Sequence, residues 1–272
     1  MELSDRYIEL IKRSVNGDLH GPQTIVVPVD PRRPAHRLFN RVMSGRGLSV
    51  GRPVEVPASA YAGGVGWPAS RTNVGESMIG RARLDNVHAA VDSVLEENIA
   101  GNLIETGVWR GGATILMRAI LNARGASDRV VFVADSFQGL PPATVANDDA
   151  GDLYLDKTLA VSLETVRDNF ERYGLLDDQV RFVKGWFSET LPDLRDEQWA
   201  IVRLDGDMYE STMDGLVNLY PGLSSGGWLI VDDYGAYESC RRAVDEYRLE
   251  RGISDEIIRI DDIGVYWRKD TS

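Results

Sequence analysis

Four aspartates stand in two short acidic segments of the chain. Asp205 and Asp207 follow one apolar stretch, and Asp232 and Asp233 follow the next. Because the carboxyl ends of parallel strands meet at one edge of a sheet, we expect these side chains to converge. Carboxylates held close together repel one another unless a cation lies between them, and oxygen ligands suit Mg²⁺. The segments therefore predict a magnesium site that binds a hydroxyl group and makes it more acidic.

Asp205 is the candidate proton acceptor, because no lysine or histidine follows it immediately. The alternative explanation is that the aspartates cap helices that begin after each strand. It is strongest for Asp207, which could cap a helix entered near residue 211. The three histidines are assigned no chemical role: His20, His36 and His88.

A glycine-containing turn begins the predicted sheet. Residues 103–112 (LIETGVWRGG) run from an apolar strand into a helix. Glycines such as Gly107, Gly111 and Gly112 let the backbone turn tightly and approach a ligand, and the helix presents its N-terminus to an anion. Asp135 ends the next strand, where a carboxylate can accept both ribose hydroxyls of a nucleoside. Without a ligand, the same residues would form a tight βα connection.

The turn lacks the G-x-G-x-x-G pattern that binds a pyrophosphate, because Gly107 is followed by Val-Trp-Arg. A nucleoside with an amino-acid tail therefore fits better than a dinucleotide, and S-adenosylmethionine has this shape. Glu105 could receive its ammonium group. The aromatic residues of 182–187 (FVKGWF) could sandwich the adenine ring, although such residues also pack βα loops.

Apolar runs alternate with amphipathic segments from residue 102 onward, which predicts βα units around a mainly parallel sheet. The predicted strands are 102–106, 130–135, 180–183, 200–205 and 228–232. The predicted helices are 112–123, 162–173, 211–219 and 238–251. Ser162 can cap the second helix, and Gly174 suits the left-handed position after it. Residues 256–260 and 263–268 predict a C-terminal hairpin with an antiparallel strand.

Residues 1–75 are predicted to be an N-terminal extension with a short helix at about 4–13, and residues 76–272 to be the main domain. Segments such as 28–34 (PVDPRRP) interrupt any helical period within the extension. This arm has too few apolar residues to fold alone. We therefore expect it to pack on a neighbouring subunit, which predicts a homo-oligomer.

Composition excludes several classes of protein. A formal net charge of -12 over 272 residues repels phosphate backbones, so nucleic acid is not an expected partner. Cys240 is the only cysteine, which excludes an intramolecular disulfide and fits a reducing compartment. The sequence shows no apolar leader and no stretch of membrane-spanning length, so we expect a cytoplasmic protein without membrane contact.

Six segments together resemble the macrocin O-methyltransferase (TylF-type) family, whose enzymes methylate deoxysugars of macrolides, aminocoumarins and related antibiotics. The segments are 78–86 (MIGRARLDN), 105–112 (ETGVWRGG), 135–141 (DSFQGLP), 204–212 (LDGDMYEST), 231–234 (VDDY) and 243–247 (AVDEY). The resemblance covers about residues 76–269. It implies an α/β class I methyltransferase (Rossmann-like) fold, with a mainly parallel seven-stranded sheet, helices on both faces and the antiparallel C-terminal hairpin.

The resemblance also implies the reaction, a transfer of methyl from S-adenosylmethionine to a sugar hydroxyl of a small glycosylated natural product. It implies Mg²⁺ bound by Asp205, Asp232 and Asp233, with Asp205 as the general base. A mobile loop at 142–157 is expected to close over the acceptor, and a solvated acidic loop is the alternative. The predicted donor site consists of Met78, Glu105, Thr106, Gly107, Gly111, Asp135, Ser136, Phe137, Gly185, Trp186, Phe187 and Asp205.

Three other functions are compatible with parts of this pattern. A catechol-like phenol could bind the same metal site, with Tyr209, Tyr234 and Tyr237 as aromatic walls. Metal-assisted hydrolysis could use the same carboxylates, but it leaves the glycine turn and Asp135 unexplained. A non-catalytic nucleotide-binding domain is also possible because fold does not fix function, although several carboxylates at one strand edge are costly without a ligand.

Overall fold

The computed structural model describes residues 2–20, 23–28, 51–56, 75–146 and 148–270. Near the N-terminus, strands β1 (Gln23–Pro28) and β2 (Gly51–Val56) pair antiparallel. The strands of the central sheet are β3 (Asn102–Thr106), β4 (Val131–Asp135), β5 (Val180–Lys184), β6 (Trp199–Leu204), β7 (Leu223–Val231), β8 (Ile258–Arg259) and β9 (Val265–Arg268). These seven strands lie in the order β5-β4-β3-β6-β7-β9-β8.

The sheet is parallel from β5 to β7, and β9 is antiparallel to both β7 and β8. The predicted terminal hairpin is therefore confirmed, with shorter strands than expected. The chain leaves β3 towards β4 and later returns to β6 on the other side of β3. Such a reversal opens a crevice at the carboxyl ends of β3 and β6, where ligands of doubly wound folds bind.

Helices cover both faces of the sheet. They are α1 (Leu3–Asn16), α2 (Gly80–Glu96), α3 (Gly112–Arg124), α4 (Leu163–Arg172), α5 (Phe187–Thr190), α6 (Tyr209–Leu219) and α7 (Glu238–Arg251). The core on one face contains residues of α1 to α4, and the core on the other contains residues of α6 and α7. Neighbours within a strand alternate between the two cores, as Leu103 and Ile104 do, because successive side chains point to opposite faces.

Most predicted elements lie within a few residues of their expected positions. The N–H of Thr165 donates to Ser162 Oγ at 3.2 Å, and Gly174 has φ of 66°, so both predicted ends of α4 are confirmed. The largest difference is at β7, which begins at Leu223 rather than 228. Its register with β6 shifts between Trp199 and Ile201, which accommodates a glycine-containing segment that did not look like a strand.

Helix α1 is part of the main core rather than a detached element. Ile8, Ile11 and Val15 are buried in the core that α2 and α3 also form. The hydroxyls of Ser14 and Tyr173 lie 2.9 Å apart, which joins α1 to the end of α4. Most of the predicted extension, including His36, lies outside the described residues, so the domain division at residue 75 stays a prediction. None of the described helices has the length and apolar character needed to cross a membrane.

Candidate active site

One cavity of about 890 Å³ opens at the carboxyl ends of β3, β4, β6 and β7. Glu105, Gly107 and Asp135 line one part of it, which we call the glycine-turn side. The other part, which we call the acid side, is lined by Asp205, Asp207, Asp232 and Asp233. The two groups of residues singled out in the sequence therefore face the same space.

Nine residues of the predicted donor site line this cavity: Met78, Glu105, Gly107, Asp135, Ser136, Gly185, Trp186, Phe187 and Asp205. Thr106, Gly111 and Phe137 do not line it. Phe137 has φ of 57° and packs its ring near that of Phe182, so it contributes its main chain rather than its side chain.

Gly107 brings the two sides of the cavity into contact. It adopts φ of 85°, a conformation that favours glycine. A Cβ atom at this position would overlap the carbonyl oxygen of Asp205. The turn after β3 thus packs directly against the backbone that follows β6, and no larger residue fits there.

Backbone N–H groups hold the carboxylate of Asp135. The N–H of Val108 donates to its Oδ2 at 2.8 Å, and the N–H of Phe137 donates to its Oδ1 at 2.6 Å. Burial raises the pKa of Asp135, while these hydrogen bonds oppose the rise. Ser136 Oγ also lies 3.5 Å from Oδ1. A carboxylate has about four lone-pair positions, so the group can still accept a hydroxyl donor from the cavity.

A buried arginine connects the two sides. Arg203, the next-to-last residue of the otherwise apolar strand β6, is fully buried and forms ion pairs with Glu105 and Asp232. Its Nη1 also lies 2.7 Å from Oδ2 of Asp205. Arg203 is not among the residues predicted for the site, although an arginine within an otherwise apolar strand indicates a buried carboxylate partner. Burial raises the pKa of Glu105 to about 8, although Arg203 opposes this shift.

Asp232, a predicted metal ligand, is paired with two arginines. Its Oδ1 accepts from Arg203, and its Oδ2 accepts from Arg83 of α2. Arg83 also lies 3.0 Å from Asp261, in the segment between β8 and β9. These contacts fix the orientation of the Asp232 carboxylate before any ligand binds.

One carboxylate oxygen from each of Asp205, Asp207 and Asp233 lies within 4.8 Å of one oxygen of the other two, whereas the predicted ligand Asp232 is not a member of this cluster. Burial, followed by the charge of Asp232, raises the pKa of Asp205 to about 6. Burial and neighbouring carboxylates raise the pKa values of Asp207 and Asp233 well above the usual range. The cluster therefore favours binding of a proton or a cation.

The interpretation of Asp207 as a helix cap was wrong. Helix α6 begins at Tyr209, and its N-cap residue is Met208, which makes no side-chain cap hydrogen bond. Asp207 instead has φ of 57° and lies within the carboxylate cluster. Aspartate tolerates this conformation better than most residues do, which allows its side chain to face the other acids.

The acidic loop after β4 is attached to the helices that follow the acid-bearing strands. Asp148 accepts from the N–H of Tyr209 at 3.0 Å, at the start of α6. Asp149 accepts from the N–H groups of Glu238 and Ser239, at 2.7 and 3.0 Å, at the start of α7. For Asp148 and Asp149, the alternative of a freely solvated acidic loop is therefore wrong.

Comparison with known proteins gives the family of the chain. The model of a family described as macrocin O-methyltransferase (TylF) matches residues 4–269. The chain belongs to this family. It is an O-methyltransferase, and the resemblance seen in the sequence is confirmed.

Two relatives of this O-methyltransferase come from Streptomyces and Micromonospora. It is 53% identical over 207 residues to the 8-demethyl-8-(2,3-dimethoxy-alpha-L-rhamnosyl)-tetracenomycin-C 4'-O-methyltransferase of Streptomyces olivaceus. This match covers 74% of this chain and 77% of the relative. It is 51% identical over 204 residues to the mycinamicin III 3''-O-methyltransferase of Micromonospora griseorubida. This match covers 72% of this chain and 79% of the relative.

Among solved structures, the O-methyltransferase NovP matches with a TM-score of 0.80 and 41% identity over 98% of this chain and 99% of that chain. The match confirms the class I methyltransferase fold with its antiparallel hairpin. The calicheamicin methyltransferase CalS11 shares the fold at 17% identity and a TM-score of 0.56.

Proposed function

We propose that this O-methyltransferase moves the methyl group of S-adenosylmethionine to a hydroxyl of a deoxysugar on a glycosylated natural product, with Mg²⁺ bound beside the acceptor. One observation carries the proposal: the glycine-turn side and the acid side open into the same cavity. A donor and an activated hydroxyl would therefore lie within reach of each other.

The glycine-turn side fits the donor. Glu105 is 2% exposed, and its Oε2 has no hydrogen-bond partner among the described residues. An unpartnered buried carboxylate oxygen suits the ammonium group of the donor's amino-acid tail. Asp135, held by backbone N–H groups, suits the ribose hydroxyls. We assign Trp186 and Phe187, which line the same cavity, as contacts of the adenine ring.

The acid side fits a divalent cation, because the carboxylates of Asp205, Asp207 and Asp233 lie close together and have raised pKa values. We assign Asp205, Asp232 and Asp233 as ligands. Arg83 donates to Oδ2 of Asp232, and Arg203 donates to Oδ1. Each oxygen keeps a lone pair for a metal ion, and hydrogen bonds of this kind orient metal ligands. When bound, the donor supplies an activated methyl group and Mg²⁺ lowers the pKa of the acceptor hydroxyl.

Asp207 fits the role of proton acceptor better than Asp205, the residue proposed from the sequence. The carboxylate of Asp205 is ion-paired with Arg203, and this contact lowers its basicity. Asp207 belongs to the same cluster, and its pKa is raised well above the usual range by burial and by the charge of Asp205. A more basic carboxylate accepts the hydroxyl proton more readily.

The names of the relatives support the acceptor class. They include methyltransferases for a rhamnosyl tetracenomycin, for demethyldecarbamoylnovobiocin and for mycinamicin III. We therefore propose a sugar hydroxyl of a small glycosylated molecule as the acceptor, and not a nucleic acid. The homo-oligomer and the cytoplasmic location stay predictions.

The test is a methyl-transfer assay with S-adenosylmethionine and those three glycosides, in Mg²⁺ and after chelation. We expect methylation of at least one glycoside, and its loss on chelation with recovery when Mg²⁺ is restored. A catechol acceptor in the same assay tests the phenol alternative. No transfer to any glycoside, or full activity in chelator, would contradict the proposal.

A further inference from the structure

Three tyrosines follow the acidic segments, and the structure separates them. The hydroxyl of Tyr209 donates to Glu246 at 2.5 Å, and that of Tyr234 donates to Asp245 at 2.8 Å. Neither residue lines the cavity, whereas Tyr237 does. Only Tyr237 among the three is therefore placed to contact an acceptor.

The position of Tyr237 is fixed relative to the acid side. Its N–H donates to the carbonyl oxygen of Asp233 at 3.1 Å, and it is the N-cap residue of α7. Its half-buried ring packs against the core formed by α6 and α7. The next two residues bind Asp149 of the acidic loop. Tyr237 thus stands between the carboxylates and the loop.

The hydroxyl of Tyr237 is a free donor in this position. It makes no hydrogen bond to any residue that the structure describes. A tyrosine phenol is protonated at neutral pH, so it can donate a hydrogen bond. The neighbouring carboxylates only accept hydrogen bonds when ionised, whereas a sugar hydroxyl both donates and accepts. Tyr237 supplies the complementary donor.

We propose that Tyr237 is a specificity-determining residue, whose hydroxyl donates a hydrogen bond to the sugar hydroxyl adjacent to the one that is methylated. The inference rests on the proposed function and narrows its acceptor to a sugar with two neighbouring free hydroxyls. A site that hydrogen-bonds a substrate hydroxyl discriminates against analogues that lack it, because its own polar group is then left unpaired.

The test compares Tyr237→Phe with two matched variants, Tyr234→Phe and Tyr209→Phe. The acceptor is whichever of the three glycosides the wild-type enzyme methylates fastest, together with its analogue in which the adjacent hydroxyl is replaced by hydrogen. We expect Tyr237→Phe to raise the KM for the glycoside about fivefold, the effect of one hydrogen bond. The Kd for S-adenosylmethionine should not change, and the two control variants should keep the wild-type KM.

The deoxy analogue decides the assignment. Wild type and Tyr237→Phe should use it with equal KM, because the hydroxyl that the phenol contacts is gone. An unchanged KM for the glycoside in Tyr237→Phe, or an equal rise for glycoside and analogue, would overturn the role of Tyr237. Failure of the wild-type enzyme to methylate any of the three glycosides would instead overturn the proposed function.

Discussion

The glycine-turn side and the acid side both place carboxylates at strand ends, but they surround them with different groups. Asp135 accepts two short hydrogen bonds from the backbone N–H groups of Val108 and Phe137. Asp207 and Asp233 have mainly each other and Asp205 as neighbours, and all three pKa values are raised. On the glycine-turn side, backbone N–H groups hold the carboxylate in place. On the acid side, the negative charges of the carboxylates favour binding of a cation.

The difference indicates how each side recognises its ligand. A carboxylate fixed by backbone donors presents its remaining lone pairs in a set geometry, which suits a ribose. A cluster of uncompensated carboxylates binds through charge, so its affinity should depend on pH and on divalent ions. Substitutions on the two sides should therefore affect different measurable quantities.

The largest expected effect is on the acid side. Asp207→Asn removes the proposed proton acceptor, and we expect kcat to fall about 10²- to 10⁴-fold. The Mg²⁺ concentration for half-maximal activity, measured by metal titration of the residual activity, should rise much less than in Asp205→Asn, because Asp207 contributes charge to the cluster but is not assigned as a ligand. Asp205→Asn should abolish turnover and also weaken Mg²⁺ binding by calorimetry. If both variants weakened Mg²⁺ binding equally, the separate roles of ligand and base would be wrong.

The next effect is on the glycine-turn side. Asp135→Asn replaces one carboxylate oxygen with an NH₂ group, so the side chain can no longer accept from both backbone N–H groups. The substitution also removes the negative charge that strengthens the proposed hydrogen bonds to the ribose. We expect the Kd for S-adenosylmethionine to rise roughly 10- to 100-fold by calorimetry. Mg²⁺ binding should be unaffected. A matching loss of Mg²⁺ affinity would show that the two sides are not separable.

A smaller effect is expected where the acidic loop meets α7. Asp149→Ala removes the acceptor for two N–H groups at the start of that helix. The loss of about 1 kcal/mol of capping should loosen the loop and raise the acceptor KM about fivefold. Hydrogen exchange in residues 142–157 should increase. Asp152→Ala, in the same loop, is the control, and an equal change in both variants would contradict a specific contact.

The smallest effect concerns pH. The pKa of Asp205 is about 6 in the folded chain and 3.8 as the ordinary value, so the folded state binds the extra proton. Without a cation, this contribution to stability is lost as pH rises from about 4 to 6. Mg²⁺ binds the charged form, so the increase in melting temperature that it causes should be larger at pH 7 than at pH 5. An increase independent of pH would argue against binding at these carboxylates.

The sequence was sufficient to predict most strands of the sheet, because they are short apolar runs that alternate with amphipathic helices. It also predicted that Gly107, Asp135, Asp205 and Asp233 lie at the same edge of the sheet, and all four line the cavity. This was possible because a strand end is a local feature that fixes which edge of the sheet a side chain occupies. The strand start at Leu223 was missed because two glycines interrupt the apolar pattern at 226 and 227.

Contacts between distant segments could not be predicted in the same way. Arg83 precedes Asp232 by 149 residues, and Asp149 precedes Ser239 by 90. Neither pairing leaves a periodic signal, and a single sequence does not show which arginine meets which carboxylate. The role of Asp207 was misjudged for a related reason, because a nearby helix start suggested a cap and only the fold shows that its side chain faces other acids.

The contact between Gly107 and the carbonyl oxygen of Asp205 has a consequence for engineering. Because the contact involves main-chain atoms, we expect the spacing between the proposed donor and metal sites to stay the same when side chains around the acceptor change. Replacement of residues 142–157 with a loop from a relative should therefore broaden or redirect the choice of glycoside while the alignment for transfer is retained.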